Sequence, residues 1–153
     1  MNVRLIAVGK IREPYIAAAL GEFRKRLRPY YTFEEIEVKA AAGSDPTKAV
    51  REEAQRILRL IESHDAVWLL ERSGTQLDSP QLAAKITQAA DGGVPCLTFV
   101  IAGTFGAGAQ LRERANFLWS LSALTFLHEW ARAIVLEQLY RAAKIARNEP
   151  YHH

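Results

Sequence analysis

Apolar and polar residues are arranged along the chain in two kinds of segment. Short apolar runs bounded by glycine, proline or polar residues are typical of buried strands. They predict five strands, over residues 3–8, 33–38, 66–70, 95–101 and 117–121. In the second of these, apolar residues alternate with acidic ones, so we expect a half-exposed strand there.

Longer segments with helical spacing lie between these runs. Between Val50 and Ile61 apolar residues recur every three or four positions, as they do on one face of a helix. Proline suits the first helical turn, so Pro14, Pro46 and Pro80 each indicate a helix start, with Ser79 as the expected cap before Pro80. Beyond the three helices that begin at these prolines, we expect a short helix over 110–114 and a long one over 128–147.

Alternating strands and helices predict an α/β fold, with a mainly parallel sheet and helices on both faces. A chain of 153 residues suits a single domain, which we expect to span 1–153. Ligands of such sheets bind beyond the carboxyl ends of the strands. The loops after Leu70, Ile101 and Leu121 are therefore the expected places for a functional site.

Composition narrows the class of protein. Hydrophobic residues make up 49% and charged residues 24%, which is typical of a globular rather than a disordered chain. The apolar stretch over 94–102 is far shorter than the roughly 20 residues that span a membrane. The first ten residues lack the pattern of a secretory signal, and the lone Cys96 excludes an internal disulfide. We therefore expect a cytoplasmic protein without a membrane partner. The net charge of +3 permits a nucleic-acid partner without requiring one.

Two of the three loops have unusual composition. The segment 102–108 contains Gly103, Gly106 and Gly108, and glycine lets a ligand approach the backbone closely. A tight turn without a ligand explains these glycines equally well. The segment 119–126 is rich in small and hydroxylated residues, which could admit a flat ring and hold it through main-chain groups. The alternative is a capping turn in which Thr125 caps the final helix.

Histidines are the remaining candidates for acid–base chemistry. His128, His152 and His153 lack the spacing of a zinc site, so we expect no metal. Alone at a helix start, His128 favours a structural role. On the final helix Glu137 and Arg141 are four residues apart, which is the spacing of an ordinary ion pair.

Several segments together carry a resemblance to a known family. They are 5–10 (LIAVGK), 69–74 (LLERSG), 77–83 (LDSPQLA), 99–103 (FVIAG), 119–125 (WSLSALT), 137–142 (EQLYRA) and 150–152 (PYH). In this order and at these distances they resemble the RlmH family of SPOUT-type methyltransferases, over essentially the whole chain.

The resemblance implies a fold, a cofactor and a partner. It implies an α/β fold with a deep trefoil knot in its C-terminal part, and a homodimer. It also implies S-adenosylmethionine as the cofactor, held by the knotted loops. The implied cofactor contacts are Leu70, Gly103, Leu121, Ser122, Ala123, Leu124, Thr125 and Phe126.

The implied reaction is methylation of N3 of a pseudouridine in 23S rRNA, within the assembled 70S ribosome. We expect Tyr151 and His152 to close over the site, with His152 deprotonating or aligning the base. Arg132 and Arg141 would hold a phosphate or a base carbonyl, and the resemblance adds His128 to the substrate contacts.

Two features depart from the family's usual pattern. Ala102 and Phe105 stand in the glycine loop where a second glycine and a polar residue are usual, and Glu129-Trp130 replaces a frequent proline. Two alternatives therefore stay open. One is a knotted cofactor-binding or ribosome-associated protein without catalysis, and the other is a SPOUT methyltransferase of another RNA such as tRNA.

Overall fold

The structure, a computed structural model, describes residues 1–151. Ten regular elements alternate along them. The strands are β1 (Asn2–Val8), β2 (Thr32–Val38), β3 (Ala66–Gln76), β4 (Cys96–Ile101) and β5 (Phe117–Ser120). The helices are α1 (Pro14–Leu27), α2 (Pro46–Leu58), α3 (Ser79–Asp91), α4 (Gly108–Arg114) and α5 (His128–Ala146).

The five strands form one sheet in the order β2-β1-β4-β3-β5, and every neighbouring pair is parallel. All five carboxyl ends therefore lie at the same edge of the sheet. This confirms the expected α/β fold with a parallel sheet.

Helices cover both faces of the sheet, also as expected. On one face α1, α3 and α5 pack against Leu5, Leu97 and Phe99, which are fully buried. On the other face α2 and α4 pack against Ile6, Leu69 and Val100. Because the inner strands β1 and β4 are buried on both sides, their sequences are nearly continuous apolar runs. The edge strand β2 alternates between apolar and acidic residues and is half exposed, as expected. Cys96 is buried as a free thiol. None of the helices within 1–151 has the length and apolar character needed to cross a membrane.

The start of α3 corrects one expectation. Asp78, and not Ser79, is the N-cap residue: its carboxylate accepts a hydrogen bond of 2.7 Å from the Gln81 main-chain N–H. The Gln81 side chain in turn accepts one of 2.9 Å from the Asp78 N–H. This reciprocal capping box satisfies two main-chain donors at once, so the helix begins one residue earlier than expected.

The third strand is longer than its apolar run. It extends to Gln76 instead of ending at Leu70, with a register irregularity between Leu70 and Thr75 against β5. Gly74 lies so close to β5 that a Cβ there would approach the Leu118 carbonyl oxygen to 2.4 Å. The irregularity directs Glu71 and Arg72 away from the ladder, towards the carboxyl edge of the sheet.

Candidate functional site

The irregular stretch of β3 at residues 70–72 and the loops that follow β4 and β5 surround a cavity of about 350 Å³ at the carboxyl edge of the sheet, here called cavity A. It collects most of the residues expected to bind a cofactor. They are Leu70, Gly103, Leu121, Ser122, Leu124, Thr125 and Phe126. Ala123 belongs to the same loop but does not line the cavity. The sheet rule therefore located the loops after β4 and β5 correctly, whereas the expected loop after Leu70 is an irregular part of β3 that also lines the cavity. The roles of the residues stay a prediction.

Aromatic packing holds the inner wall of cavity A. Trp119 lines it and is itself buried, with ring centroids 5.9 Å from Phe99 and 6.4 Å from Trp68 in edge-on arrangements. Edge-to-face contacts of this kind favour one packing arrangement. The wall is thus an apolar surface of fixed shape, against which a flat ring can lie.

The loop over 121–127 exposes main-chain donors beside this wall. Ser120 Oγ donates to the Ser122 carbonyl at 3.0 Å, and Ser122 Oγ accepts from the Leu124 N–H at 3.0 Å. The N–H groups of Ala123 and Thr125 make no hydrogen bond to any residue within 1–151. Thr125 does not cap α5, because Leu127 is the N-cap residue and provides no side-chain hydrogen bond. The loop can therefore offer main-chain donors to a ligand.

The glycine loop over 102–108 is shaped by close contact with α2. Its backbone turns back on itself through a hydrogen bond of 3.0 Å from the Gly106 N–H to the Gly103 carbonyl. Gly106 and Gly108 adopt φ of 90° and 72°, which favour glycine. A Cβ on Gly108 would lie 2.4 Å from Val50 Cγ1, so two reasons require glycine at that position.

Glu53 is a site residue that the sequence did not indicate. It is 6% exposed on α2, and its carboxylate lies against Gly103. Oε1 accepts a hydrogen bond of 3.0 Å from the Ala41 N–H, while Oε2 is buried without a partner within 1–151. The available signal was positional, since Glu53 is a charged residue three positions from Val50 and four from Ile57 on the apolar face of the helix.

A second cavity of about 580 Å³, cavity B, adjoins cavity A. Gly103, Thr104 and His128 line both, so they form the wall between them. Cavity B is bounded further by the carboxyl end of β1, by α2 and by the start of α5. His128 thus lies where the two cavities meet, and its expected substrate contact stays a prediction.

Arg132 joins α5 to the end of β1. It is 1% exposed, and Nη1 lies 2.8 Å from the Glu37 carboxylate, while Nη2 donates to the carbonyls of Val8 and Gly9. Its Nε is buried without a partner within 1–151. These contacts make Arg132 a residue that positions the wall of cavity B, and its expected contact with phosphate or base stays a prediction.

Near the other end of α5, Glu137, Arg141 and Tyr151 form the tail cluster. Glu137 Oε1 accepts hydrogen bonds from the Tyr151 hydroxyl at 2.5 Å and from Arg141 Nη2 at 2.8 Å. The Arg141 guanidinium lies 4.0 Å from the centroid of the Tyr151 ring. Burial, with the bond to Glu137, raises the pKa of Tyr151 to about 12, so its hydroxyl is a hydrogen-bond donor at neutral pH. His152, the expected base, lies outside the described residues.

Within one chain, the tail cluster lies apart from both cavities. Neither cavity is lined by Glu137, Arg141 or Tyr151. Arg141 lies ten residues after Ala131, which lines cavity A, and this corresponds to about 15 Å along the helix. Within one chain, Arg141 and Tyr151 therefore do not line cavity A, whereas His128 does.

Large apolar side chains are exposed on the cavities and near the start of α5. Leu124, which lines cavity A, is 71% exposed, and Leu127, which lines cavity B, is 67% exposed. The rings of Tyr15 and Trp130, both more than 40% exposed, lie with their centroids 5.9 Å apart and their planes tilted by 45°. A group of large exposed apolar side chains of this kind typically marks an interaction surface. No group of His, Cys, Asp and Glu side chains within 1–151 is arranged to hold a metal ion.

Comparison with known proteins identifies relatives over the full length. Residues 1–152 match a family described as "Predicted SPOUT methyltransferase". A protein of Natranaerobius thermophilus and one of Pelobacter propionicus, each named "Ribosomal RNA large subunit methyltransferase H", are both 40% identical to this chain. One of the same name from Dictyoglomus thermophilum is 34% identical. In all three pairs the similarity covers 100% of both chains.

Proposed function

The chain belongs to the SPOUT methyltransferase family, and from this premise we propose that it methylates large-subunit ribosomal RNA. More closely, we propose transfer of a methyl group from S-adenosylmethionine to N3 of a pseudouridine in 23S rRNA, within the assembled ribosome. The names of the full-length relatives support the substrate class. The observation that carries the proposal is cavity A, where residues 70–72 of β3 meet the loops after β4 and β5.

The residues around cavity A fit a nucleoside. An apolar wall at Trp119 suits an adenine ring, and the Thr125 N–H, which has no hydrogen-bond partner within 1–151, suits one of its ring nitrogen atoms. Gly103 has no side chain, and the Glu53 carboxylate occupies the space that a Cβ there would fill. The donor supplies an activated methyl group, so the protein has chiefly to orient the two reactants and to accept a proton.

We propose that the tail cluster orients the target base. Arg141 would hold a phosphate or a base carbonyl, and Glu137 keeps both Arg141 and Tyr151 in place. The raised pKa of Tyr151 favours hydrogen-bond donation and not proton acceptance. This leaves His152, next in the chain, as the proposed proton acceptor at N3.

The separation within one chain leads us to propose a homodimer with a composite site. The tail cluster of one protomer would lie over cavity A of its partner. The exposed Leu124 on cavity A, Leu127 on cavity B and Trp130 at the start of α5 support this arrangement, because pairing two copies would bury them. We further propose the deep trefoil knot of the family for the C-terminal part, and a cytoplasmic location.

Mixed dimers test the composite site. Thr125→Trp would fill cavity A of its own chain, and Glu137→Ala would disrupt the tail cluster of its own chain. Either variant alone should be inactive. Unfolding the two together and refolding them should restore roughly a quarter of wild-type activity, because half of the dimers then carry one intact site. If the mixture stays inactive although mixed dimers form, the composite site is wrong.

The substrate class is tested by transfer of labelled methyl groups. The protein is incubated with labelled S-adenosylmethionine and either 70S ribosomes from a strain lacking the endogenous activity or free tRNA. We expect label in 23S rRNA and none in tRNA. Label in tRNA alone would support the other RNA substrate. Donor binding by calorimetry without transfer to either would support a protein without catalysis.

A further inference from the structure

Glu53 has a buried carboxylate of which only one oxygen forms a hydrogen bond within 1–151. Glu53 is 6% exposed, yet only Oε1 has a hydrogen-bond partner, the Ala41 N–H. Oε2 is buried and has no partner within 1–151. Burying an unpaired carboxylate oxygen is costly, so a group that remains unpaired in this way is a candidate for binding a ligand.

The unpaired Glu53 Oε2 lies at the wall between the two cavities. An ideal Cβ built on Gly103 would lie 2.2 Å from Oε2, so this oxygen is in contact with the Gly103 backbone. Gly103 and Thr104 line both cavities, whereas Glu53 lines cavity B alone. A ligand that extends from cavity A past Gly103 therefore meets the Glu53 carboxylate.

The charges around cavity B match those of an amino acid. Glu53 supplies a buried anion, and Lys10 and Arg12 supply exposed cations on its lining. Neither cation forms a salt bridge within the described part of the chain. An α-amino acid group carries one ammonium and one carboxylate, so it could pair with both signs at once.

We propose that Glu53 binds the α-ammonium of the amino-acid end of the methyl donor. This inference rests on the proposed function, since it takes S-adenosylmethionine as the ligand of cavity A. The nucleoside lies in cavity A, the chain passes Gly103, and the ammonium donates a hydrogen bond to Glu53 Oε2. The Lys10 and Arg12 side chains face the donor's carboxylate. Glu53 thereby fixes the amino-acid end and limits rotation of the donor about its ribose.

Two product-like compounds separate this role from a structural one. S-adenosylhomocysteine carries the amino-acid group, and 5′-methylthioadenosine has the same nucleoside and sulfur without it. Binding of each is measured by calorimetry to wild type, Glu53→Gln and Glu52→Gln. Glu52 is a matched control, because it lies next to Glu53 and only pairs with Lys48 and Arg56 on the helix surface. Glu53→Gln keeps the shape of the side chain, and thermal unfolding checks that the variant folds.

We expect Glu53→Gln to weaken the binding of only one of the two compounds. Glu53→Gln should weaken S-adenosylhomocysteine binding at least about tenfold, which is the loss expected for a hydrogen bond to a charged group. Binding of 5′-methylthioadenosine should stay within twofold, roughly the error of such measurements, and Glu52→Gln should change neither. Equal weakening of both compounds would make Glu53 a structural residue and overturn the inference, as would no change for either. If wild type binds neither compound, the proposed function itself fails.

Discussion

Replacing Gly103 by alanine would place a methyl group where the Glu53 carboxylate lies. The new Cβ would be 2.2 Å from Oε2, 2.9 Å from Cδ and 3.1 Å from Oε1 of Glu53. All three distances are shorter than ordinary van der Waals contact, so the carboxylate must move. It is held by the Ala41 N–H and enclosed by its neighbours, and moving it disrupts that hydrogen bond.

These contacts determine how much stability Gly103→Ala loses. The site either stays overpacked or relieves the overlap by losing the buried hydrogen bond, and either outcome costs about 1–3 kcal/mol. We expect Gly103→Ala to lower the free energy of unfolding by about 1–3 kcal/mol in urea, at one fixed protein concentration. Gly21→Ala is the matched control. Gly21 lies within α1 with nothing within 4 Å of an added Cβ, so that variant should gain up to about 1 kcal/mol.

A double-mutant cycle identifies the cause. In the Glu53→Ala background the collision is removed, so adding Gly103→Ala should cost at least about 1 kcal/mol less than it does in wild type. Effects that add to within about 0.5 kcal/mol would refute the argument, because they would show that the methyl group does not meet the Glu53 carboxylate. Wild-type stability of Gly103→Ala would refute it as well.

Three further predictions concern α5 and the turn that follows it. Hydrogen bonds from Lys144 and Tyr30 lower the pKa of Glu149 in the folded state, so its contribution to stability is present above the usual glutamate pKa of 4.5 and lost as the pH falls through the lowered value. Glu149→Gln should therefore be less stable than wild type in urea at neutral pH, and the difference should disappear in acid; a constant difference would contradict the assigned pairing. Arg132→Lys should lose about 2–3 kcal/mol of unfolding free energy, because a lysine cannot bind Glu37 and two carbonyls together, and wild-type stability would contradict this. Trp130→Ser should weaken self-association in sedimentation experiments while leaving the secondary structure seen by circular dichroism unchanged, and an unchanged dimer would place the interface elsewhere.

The fold followed closely from the apolar pattern. Strands buried on both faces have continuous apolar sequences, so their existence was clear, and only their ends were misjudged. Residues 71–76 are mostly polar, and Thr75 and Gln76 pair with β5 because Gly74 allows close approach to Leu118. Asp78 and Ser79 are both good capping residues, and the Gln81 side chain decides between them. These outcomes depend on contacts between segments, which a local pattern does not contain.

The sequence predicted only part of the site, because the rest also depends on contacts between segments. The rule for strand ends brought residues 70–72 and the loops after β4 and β5 together at cavity A without any reference to side-chain packing, although residues 70–72 are part of β3 and not a loop. Glu53 was missed because a single charged residue on a helix is usually solvated, and only the packing of α2 against Gly103 buries it. The distance between cavity A and the tail cluster could have been read from the helix rise, since Ala131 and Arg141 lie ten residues apart on one helix.

Identifying the methylated nucleoside is the decisive test of the proposed methyl transfer to a pseudouridine of 23S rRNA. Ribosomes from a strain without the endogenous activity are treated with this protein and S-adenosylmethionine, and their 23S rRNA is digested and examined by mass spectrometry. We expect 3-methylpseudouridine with the wild-type chain and none with Thr125→Trp, whose cavity A is filled. Methylation of a different nucleoside, or equal product with the Thr125→Trp chain, would contradict this proposal.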